Sequence, residues 1–460
     1  MLEQGCSTLS ADEQGRILDR LAGLEKIVTE DMMHSVLEAA GKTNGRRCKL
    51  PHRVMLWVVL AMGLFTHVPI RQVFRLSRRL REGERAPCRS ALCAGRERLG
   101  VEPLIELFAR VARPLATPDT VGAFYQGYRL LAIDGSVYDA CDSEANQVFG
   151  RSSGSRGEAA FPQVRKVSLV EVGSHVEIAM AIGGWKDSER ALVKQLRDAI
   201  PADALLLEDR GFFSYSDWKA LHLQHKLLMR VVKHMVLTPL RRLQDGSYLA
   251  KIYRSSYDRK YDRRGIIVRV IEYTLDDPQR TGHGEVHRLL TNLLDEAACP
   301  ALELIELYHE RWEQEMVYDE QKTHQDPQRA EKTTHLRSNT PNGVRQELYA
   351  LSLAHYVIRA MMFEAAQDIQ LDADRLSFTG CFRILQCRLP ECDGRTSATV
   401  QSWYRAVLTE MRDEIVPPRR NRINPRVIKR KMSKWNRKRA EHRHPEPLRK
   451  SFTETVVMKT

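Results

Sequence analysis

The apolar residues of roughly the first 115 positions recur every three to four residues, the period of helices with one buried face. Residues 17–28, 51–65, 70–80, 90–98 and 104–111 predict helices, and Pro51 suits the opening of the second because a first-turn amide has no intrahelical partner. The third carries Arg71, Arg75, Arg78, Arg79 and Arg81 in one short span. From Tyr128 the pattern becomes that of strands. Leu130-Leu-Ala-Ile133 is a continuous apolar run stopped by Asp134-Gly135-Ser136, and Ala204-Leu-Leu-Leu207 leads through Glu208 into Asp209-Arg210-Gly211-Phe212. Runs of this kind predict buried strands whose far ends open onto a site.

Between these two runs, residues 164–172 and 176–182 predict a hairpin about Gly173-Ser174, and 187–200 a helix with Asp187 or Ser188 as its cap. A helix at 216–225 and a strand at 227–232 follow. The order is three strands, helix, strand, helix, strand, an α/β alternation that many layouts share. The Gly/Ser-rich loop 150–157 offers Arg151 and Arg156 either to a DNA phosphate or to solvent on a mobile surface loop. Residues 233–298 break the alternation with a strand-like run at 265–271 and Tyr248, Tyr253, Tyr257, Tyr261 and Tyr273 among many Arg and Lys, and predict a β-rich insertion. Helices are expected again at 344–367, with Leu348, Leu351, Leu353, Val357 and Met361 packing inward, and at 399–415. These boundaries suggest a helical domain at 1–118, an α/β core at 119–365 and a helical C-terminal region with a basic tail at 366–460.

A chain of 460 residues exceeds one ordinary core, so two or three domains are expected. The net charge of +13 points to a polyanionic partner, by default nucleic acid. Most of it is local: residues 419–450 hold 14 Lys and Arg against Glu441 and Glu446, a composition suited to a solvated tail and to non-specific DNA contact. The nine cysteines include no Cys-x-x-Cys, and although Cys381, Cys387 and Cys392 come nearest to a zinc cluster, reduced thiols are the expectation. The longest apolar run, 54–65, is short of the roughly 20 residues that cross a bilayer. Nothing at the N-terminus resembles a signal peptide, so a reduced, cytoplasmic protein without a membrane association is expected.

The richest stretch for chemistry is 302–322, without Pro or Gly and full of helix formers. On a continuous α-helix Tyr308, Arg311, Glu315 and Lys322 share an arc of about 60°. Ile305, Trp312 and Met316 form an apolar stripe beside them. A charged helix face is ordinarily just solvated. Here the spacing, Tyr, two residues, Arg, three residues, Glu, six residues, Lys, resembles the signature of the insertion sequence 4 family of DDE transposases, and Asp209-x-Gly-aromatic resembles that family's second motif.

The resemblance covers roughly residues 20 to 360 and implies a ribonuclease H-like catalytic core with a β-rich insertion, preceded by an all-α DNA-binding domain. It implies that Asp134, Asp209 and Glu315 form the catalytic, metal-binding triad, and that Tyr308, Arg311 and Lys322 grip DNA phosphates. Three converging carboxylates repel one another and are best held ionised by divalent cations, and hard oxygen ligands suit two Mg²⁺ ions, with Mn²⁺ as substitute. The implied partners are transposon terminal inverted repeats and target DNA, met as a homodimer in a synaptic complex in the bacterial cytoplasm at the nucleoid. The implied activity is cut-and-paste transposition by strand cleavage and strand transfer. In some relatives an aromatic on the insertion stacks a flipped base, and the five tyrosines leave that choice open. Two alternatives stand beside it: a nuclease or resolvase on the same fold, and a catalytically inactive DNA-binding regulator derived from a transposase.

Overall fold

The structure is a computed structural model that describes residues 18–43, 50–80, 82–154, 157–278, 283–309, 312–325, 336–417 and 450–459, and for 312–315 the backbone alone. Ile17, Arg81, Arg156, Arg311, Asp326, Pro327 and the basic stretch with Trp435 lie outside the described residues. The chain groups into two compact units, one of Met1–Ala123, Ile133–Ile200 and Glu313–Val416, the other of Phe124–Ala132, Pro201–Trp312 and Pro417–Thr460.

The first unit opens with a 3-10 turn at Asp19–Lys26 and five helices. In α1 (Glu30–Ala39) the Thr29 hydroxyl accepts the Met32 amide proton, and Glu30 and Asp31 complement the positive end of the helix. In α2 (His52–Leu64) every residue from Val54 to Leu64 is buried, so the apolar run is a core helix. No helix among the described residues is long and apolar enough to cross a membrane. α3 (Ile70–Ser77) turns Ile70, Val73 and Phe74 inward and leaves Arg71 and Arg75 exposed, while α4 (Arg89–Leu99) and α5 (Glu102–Val111) complete the group.

The hub is the long helix Pro341–Gln367, capped by Thr340, in which Leu348, Leu351, Leu353, Val357 and Met361 are all buried as their spacing predicts. It crosses α2 so closely at Gly63 that a Cβ there would lie 2.0 Å from the Ala350 carbonyl oxygen and 2.9 Å from the Ala354 Cβ. Gly63→Ala is therefore expected to lower stability by about 1–3 kcal/mol, the cost of overpacking a filled core. A thermal melt checks it, and an unchanged midpoint would show the crossing to be loose.

β1 (Tyr128–Asp139) has its residues up to Ala132 in the second unit and those from Ile133 in the first. Within the first unit the strand order is β3–β2–β1, with β2 (Gln163–Glu171) and β3 (Glu177–Gly184) forming the expected antiparallel hairpin. The helix predicted at 187–200 is only α-helical over Glu189–Val193 before tightening to 3-10, and its cap is Ser188; Asp187 instead accepts the Gly184 amide proton. Arg151 is drawn into the loop itself: its guanidinium bonds Asp142, Gln147 and the carbonyls of Ala159 and Ala160.

The second unit has the order β1–β4–β5–β8–β7–β6. β4 (Ala204–Glu208) and β5 (Lys226–Arg230) are parallel, joined through a short helix at Tyr215–Leu221 that Ser214 caps. The predicted insertion supplies β6 (Tyr248–Ile252), β7 (Ile266–Leu275) and β8 (His287–Thr291), which continue the sheet beyond β5 as antiparallel strands. Fully buried Arg269 ties them down, bonding Asp245, Ser247 and the carbonyl oxygen of Cys299. Residues 450–459, expected as part of a solvated tail, return to the sheet: Val456–Met458 pairs antiparallel with Tyr273–Leu275 of β7. Phe452 then stacks on His309 with ring centroids 3.9 Å apart, and Thr453 donates to Glu306. The architecture is thus α/β, helices followed by a ribonuclease H-like core with its β-rich insertion.

Candidate active site

Along β1 Leu130 to Ile133 are buried, and Asp134, in the first unit, is the half-buried residue that follows them. The strand does not end there, as the Asp-Gly pair suggests, but runs on through Gly135 and Ser136 to Asp139. At Gly135 the Glu189 carboxylate packs against the strand: a Cβ there would lie 2.7 Å from it, and the glutamate side chain would have to move aside. Asp134 Oδ1 accepts the Gly135 amide proton at 2.8 Å, and the Asp134 carbonyl accepts the Tyr318 hydroxyl at 2.8 Å. Burial, with the Glu177 carboxylate adding to it, holds the Tyr318 phenol well above its ordinary pKa, so it stays a donor.

Tyr318 belongs to the helix Trp312–Asp319, whose backbone carries Glu315; the Glu315 side chain lies outside the described residues. The α-helix predicted over 302–322 is corrected at its C-terminal end. Ala301–His309 and Trp312–Asp319 are α-helical, but Glu320–His324 is a π turn, in which the Gln325 amide reaches back to Glu320. The 100° spacing therefore does not carry through to Lys322. Its ammonium donates to the Val137 carbonyl at 3.0 Å and lies 4.6 Å from the centre of the Tyr138 ring, three to four residues along β1 from Asp134.

The wide turn is held by buried polar groups that hydrophobic periodicity cannot reveal. Glu320 receives the Arg359 guanidinium and His355 Nε2. Burial pushes its carboxyl up, but Arg359 and His355 outweigh this and hold it at about 2. Lys166 and Glu177, both fully buried on the hairpin, pair at 2.8 Å. Burial pushes the Lys166 ammonium down; burial also opposes ionisation of Glu177, which Lys166 overcomes to leave that carboxyl below its usual range.

In the second unit Asp209 directly follows β4, all of whose residues are buried, and is itself half-buried. Its Oδ1 accepts the Arg210 amide proton at 2.8 Å, the same contact with the following amide that Asp134 makes. Tyr308, buried on the helix Ala301–His309, donates its hydroxyl to the Glu208 carbonyl at 3.3 Å, one residue before Asp209. Among the insertion tyrosines Tyr248 and Tyr273 are buried and Tyr253 bonds Asp262, whereas Tyr257 and Tyr261 are 57% and 51% exposed. Their rings are 4.8 Å apart, and the Arg263 guanidinium lies 5.7 and 5.8 Å from their centres.

Among the described residues no three His, Cys, Asp or Glu side chains are grouped so as to hold a metal, and the Glu315 carboxylate is not among them. The donor chemistry of Asp134 and Asp209 suits a hard divalent cation, since each is a carboxylate oriented by its neighbour's amide on or beside a rigid strand. Burial pushes the Cys381 thiol up to about 12 and the Cys392 thiol to about 11, which favours the neutral thiol at both positions.

Residues 18–109 match the family model of the insertion element 4 transposase N-terminal region, and residues 125–357 match that of the transposase DDE domain. The transposase InsG for insertion sequence element IS4 of Escherichia coli (strain K12) is 29% identical over 424 residues, 90% of this chain and 93% of that protein. The putative transposase InsZ of the same strain is 29% identical over 192 residues, 41% of this chain and 63% of that one. A solved structure, the cryo-EM structure of piggyBac transposase synaptic complex with hairpin DNA, aligns at a TM-score of 0.43 and 12% identity over 87% of this chain and 86% of that one. With the DDE model spanning half of its length and the insertion element 4 module in front, the chain belongs to the DDE transposases of the insertion element 4 family and is a DNA transposase.

Proposed function

We propose that this transposase works by cut-and-paste, cleaving and rejoining DNA at one acidic triad of Asp134, Asp209 and Glu315. Two Mg²⁺ ions, with Mn²⁺ as substitute, are the cations these carboxylates would hold. When bound, such ions supply Lewis acidity to the attacked phosphate and lower the pKa of an attacking water or 3′-hydroxyl. Arg311 and Lys322 hold phosphates of the transposon end by charge, and Tyr308 joins them when its hydroxyl proton turns from the Glu208 carbonyl to a phosphate oxygen. The helical segment up to about residue 118, with Arg71 and Arg75 exposed, grips the terminal inverted repeats. Tyr257 and Tyr261, exposed under Arg263, are the insertion residues suited to stacking an unpaired base. Two copies assemble on paired ends, in the bacterial cytoplasm at the nucleoid.

The observation that carries the triad is the matched local geometry of its two aspartates. Each lies in or directly after a buried strand of the family-matched core, with one carboxylate oxygen turned onto the next residue's amide. The test is a duplex ending in the element's terminal repeat, incubated with protein, a target plasmid and Mg²⁺ or Mn²⁺. Joining of the labelled 3′-hydroxyl to the target, abolished by a chelator, is the expected result. Cleavage without joining identifies a nuclease or resolvase, and end binding without cleavage identifies a regulator.

A further inference from the structure

We propose that Gln321 is a positioning residue for the transposition reaction, acting through Lys322, its neighbour on the π turn. The inference rests on the proposed phosphate-binding role of Lys322.

Gln321 is fully buried, and its side-chain amide is shared among three partners. Its oxygen accepts the Tyr138 hydroxyl at 3.2 Å and the Lys166 ammonium at 2.9 Å, and its nitrogen donates to Glu177 at 3.2 Å. Lys166 in turn donates to Ser352 at 2.7 Å on the long helix. Both neighbouring turns are pinned as well: Gln325 donates to the carbonyls of Gly63 and Leu351, and Glu320 is held by Arg359 and His355. A π turn makes poorer use of the backbone than the α-helix it replaces, so side chains must hold it. Here they place two consecutive residues, Glu320 and Gln321, inward together.

Lys322 follows at once, and Tyr138 couples it to this lock. The hydroxyl of Tyr138 bonds Gln321 while its ring lies under the Lys322 ammonium. Gln321 thus fixes the turn and the ring beneath the lysine together, and neither the spacing of the signature nor an ideal helix would identify it.

The test is a double-mutant cycle between Gln321→Met and Lys322→Met, read as kcat and KM for terminal-repeat cleavage, with thermal melting alongside. Methionine keeps the volume of glutamine and removes its hydrogen bonds. Gln321→Met is expected to lower kcat at least about tenfold, the scale of misplacing a group in an active site, with KM nearly unchanged. In the Lys322→Met background the same change is expected to cost less than twofold. Equal losses in both backgrounds, or no loss in the single variant, overturn the inference. If Lys322→Met alone leaves kcat and KM unaltered, the role given to Lys322 fails, a separate outcome. Should Gln321→Met fail to fold, Tyr138→Phe removes one donor to Gln321 and keeps the ring; it is expected to show the same non-additivity with Lys322→Met at a smaller loss, and additivity there overturns the proposal equally.

Discussion

Glu315→Gln leaves binding to the transposon end intact and lowers cleavage by at least about 10³-fold, the upper range seen when a single group that stabilises transition-state charge is lost. The substitution keeps the size of the side chain and removes its charge. A neutral amide is a weak ligand for a hard divalent cation, and a triad reduced to two carboxylates loses charge that the cations balance. End binding depends on phosphate contacts from other residues, so a mobility-shift assay should give the wild-type affinity, whereas Arg311→Ala should weaken it. Equal cleavage by wild type and Glu315→Gln would refute the triad.

The second large effect is on stability. Arg359→Met leaves the Glu320 carboxylate buried without its guanidinium, and breaking a buried pair in this way typically costs about 3–5 kcal/mol. A fall of several degrees or more in the thermal midpoint at pH 7 checks this, and a partial recovery is expected when Glu320→Gln is added, because the stranded charge is then gone. The pH dependence has a definite sign. Glu320 titrates at about 2 in the folded chain against 4.5 for an unperturbed glutamate, so its contribution, about 3 kcal/mol, is complete above pH 4.5 and is lost as the pH falls toward 2. The wild-type midpoint should fall through that window more steeply than that of Arg359→Met. Parallel curves would mean that Glu320 carries no such shift.

The strands were legible because burial on both faces leaves a continuous apolar signature: Leu130 to Ile133 and Ala204 to Leu207 are all buried. The hairpin about Gly173-Ser174 and the inward face of the long helix were legible from period and turn chemistry. Asp134 was found because it stops an apolar run, and Asp209 because such a run leads through Glu208 into the Asp-x-Gly-aromatic motif. What escaped depends on partners far away in the chain. Gly135 reads as a turn residue, yet it lies inside β1 with the Glu189 side chain packed against it. Lys166, Glu177, Glu320 and Arg359 are buried without any sign of it in the sequence, since no periodicity marks a charge that is buried with its counter-charge. The π turn is invisible for the same reason, because the partners that its side chains bond lie on β1, the hairpin and the long helix.

The return of residues 450–459 to β7 bears on how the protein is made. The partners of Tyr273–Leu275 and of His309 are synthesised long after the segments they complete. A message interrupted before Phe452 yields a polypeptide that retains Asp134, Asp209 and Glu315 yet leaves the strand segment Tyr273–Leu275 and the helix bearing Tyr308 without their last neighbours. Truncated products of this reading frame therefore cannot be assumed to behave as shortened versions of the full enzyme, and a reporter joined beyond Met458 hangs directly from an edge of the sheet.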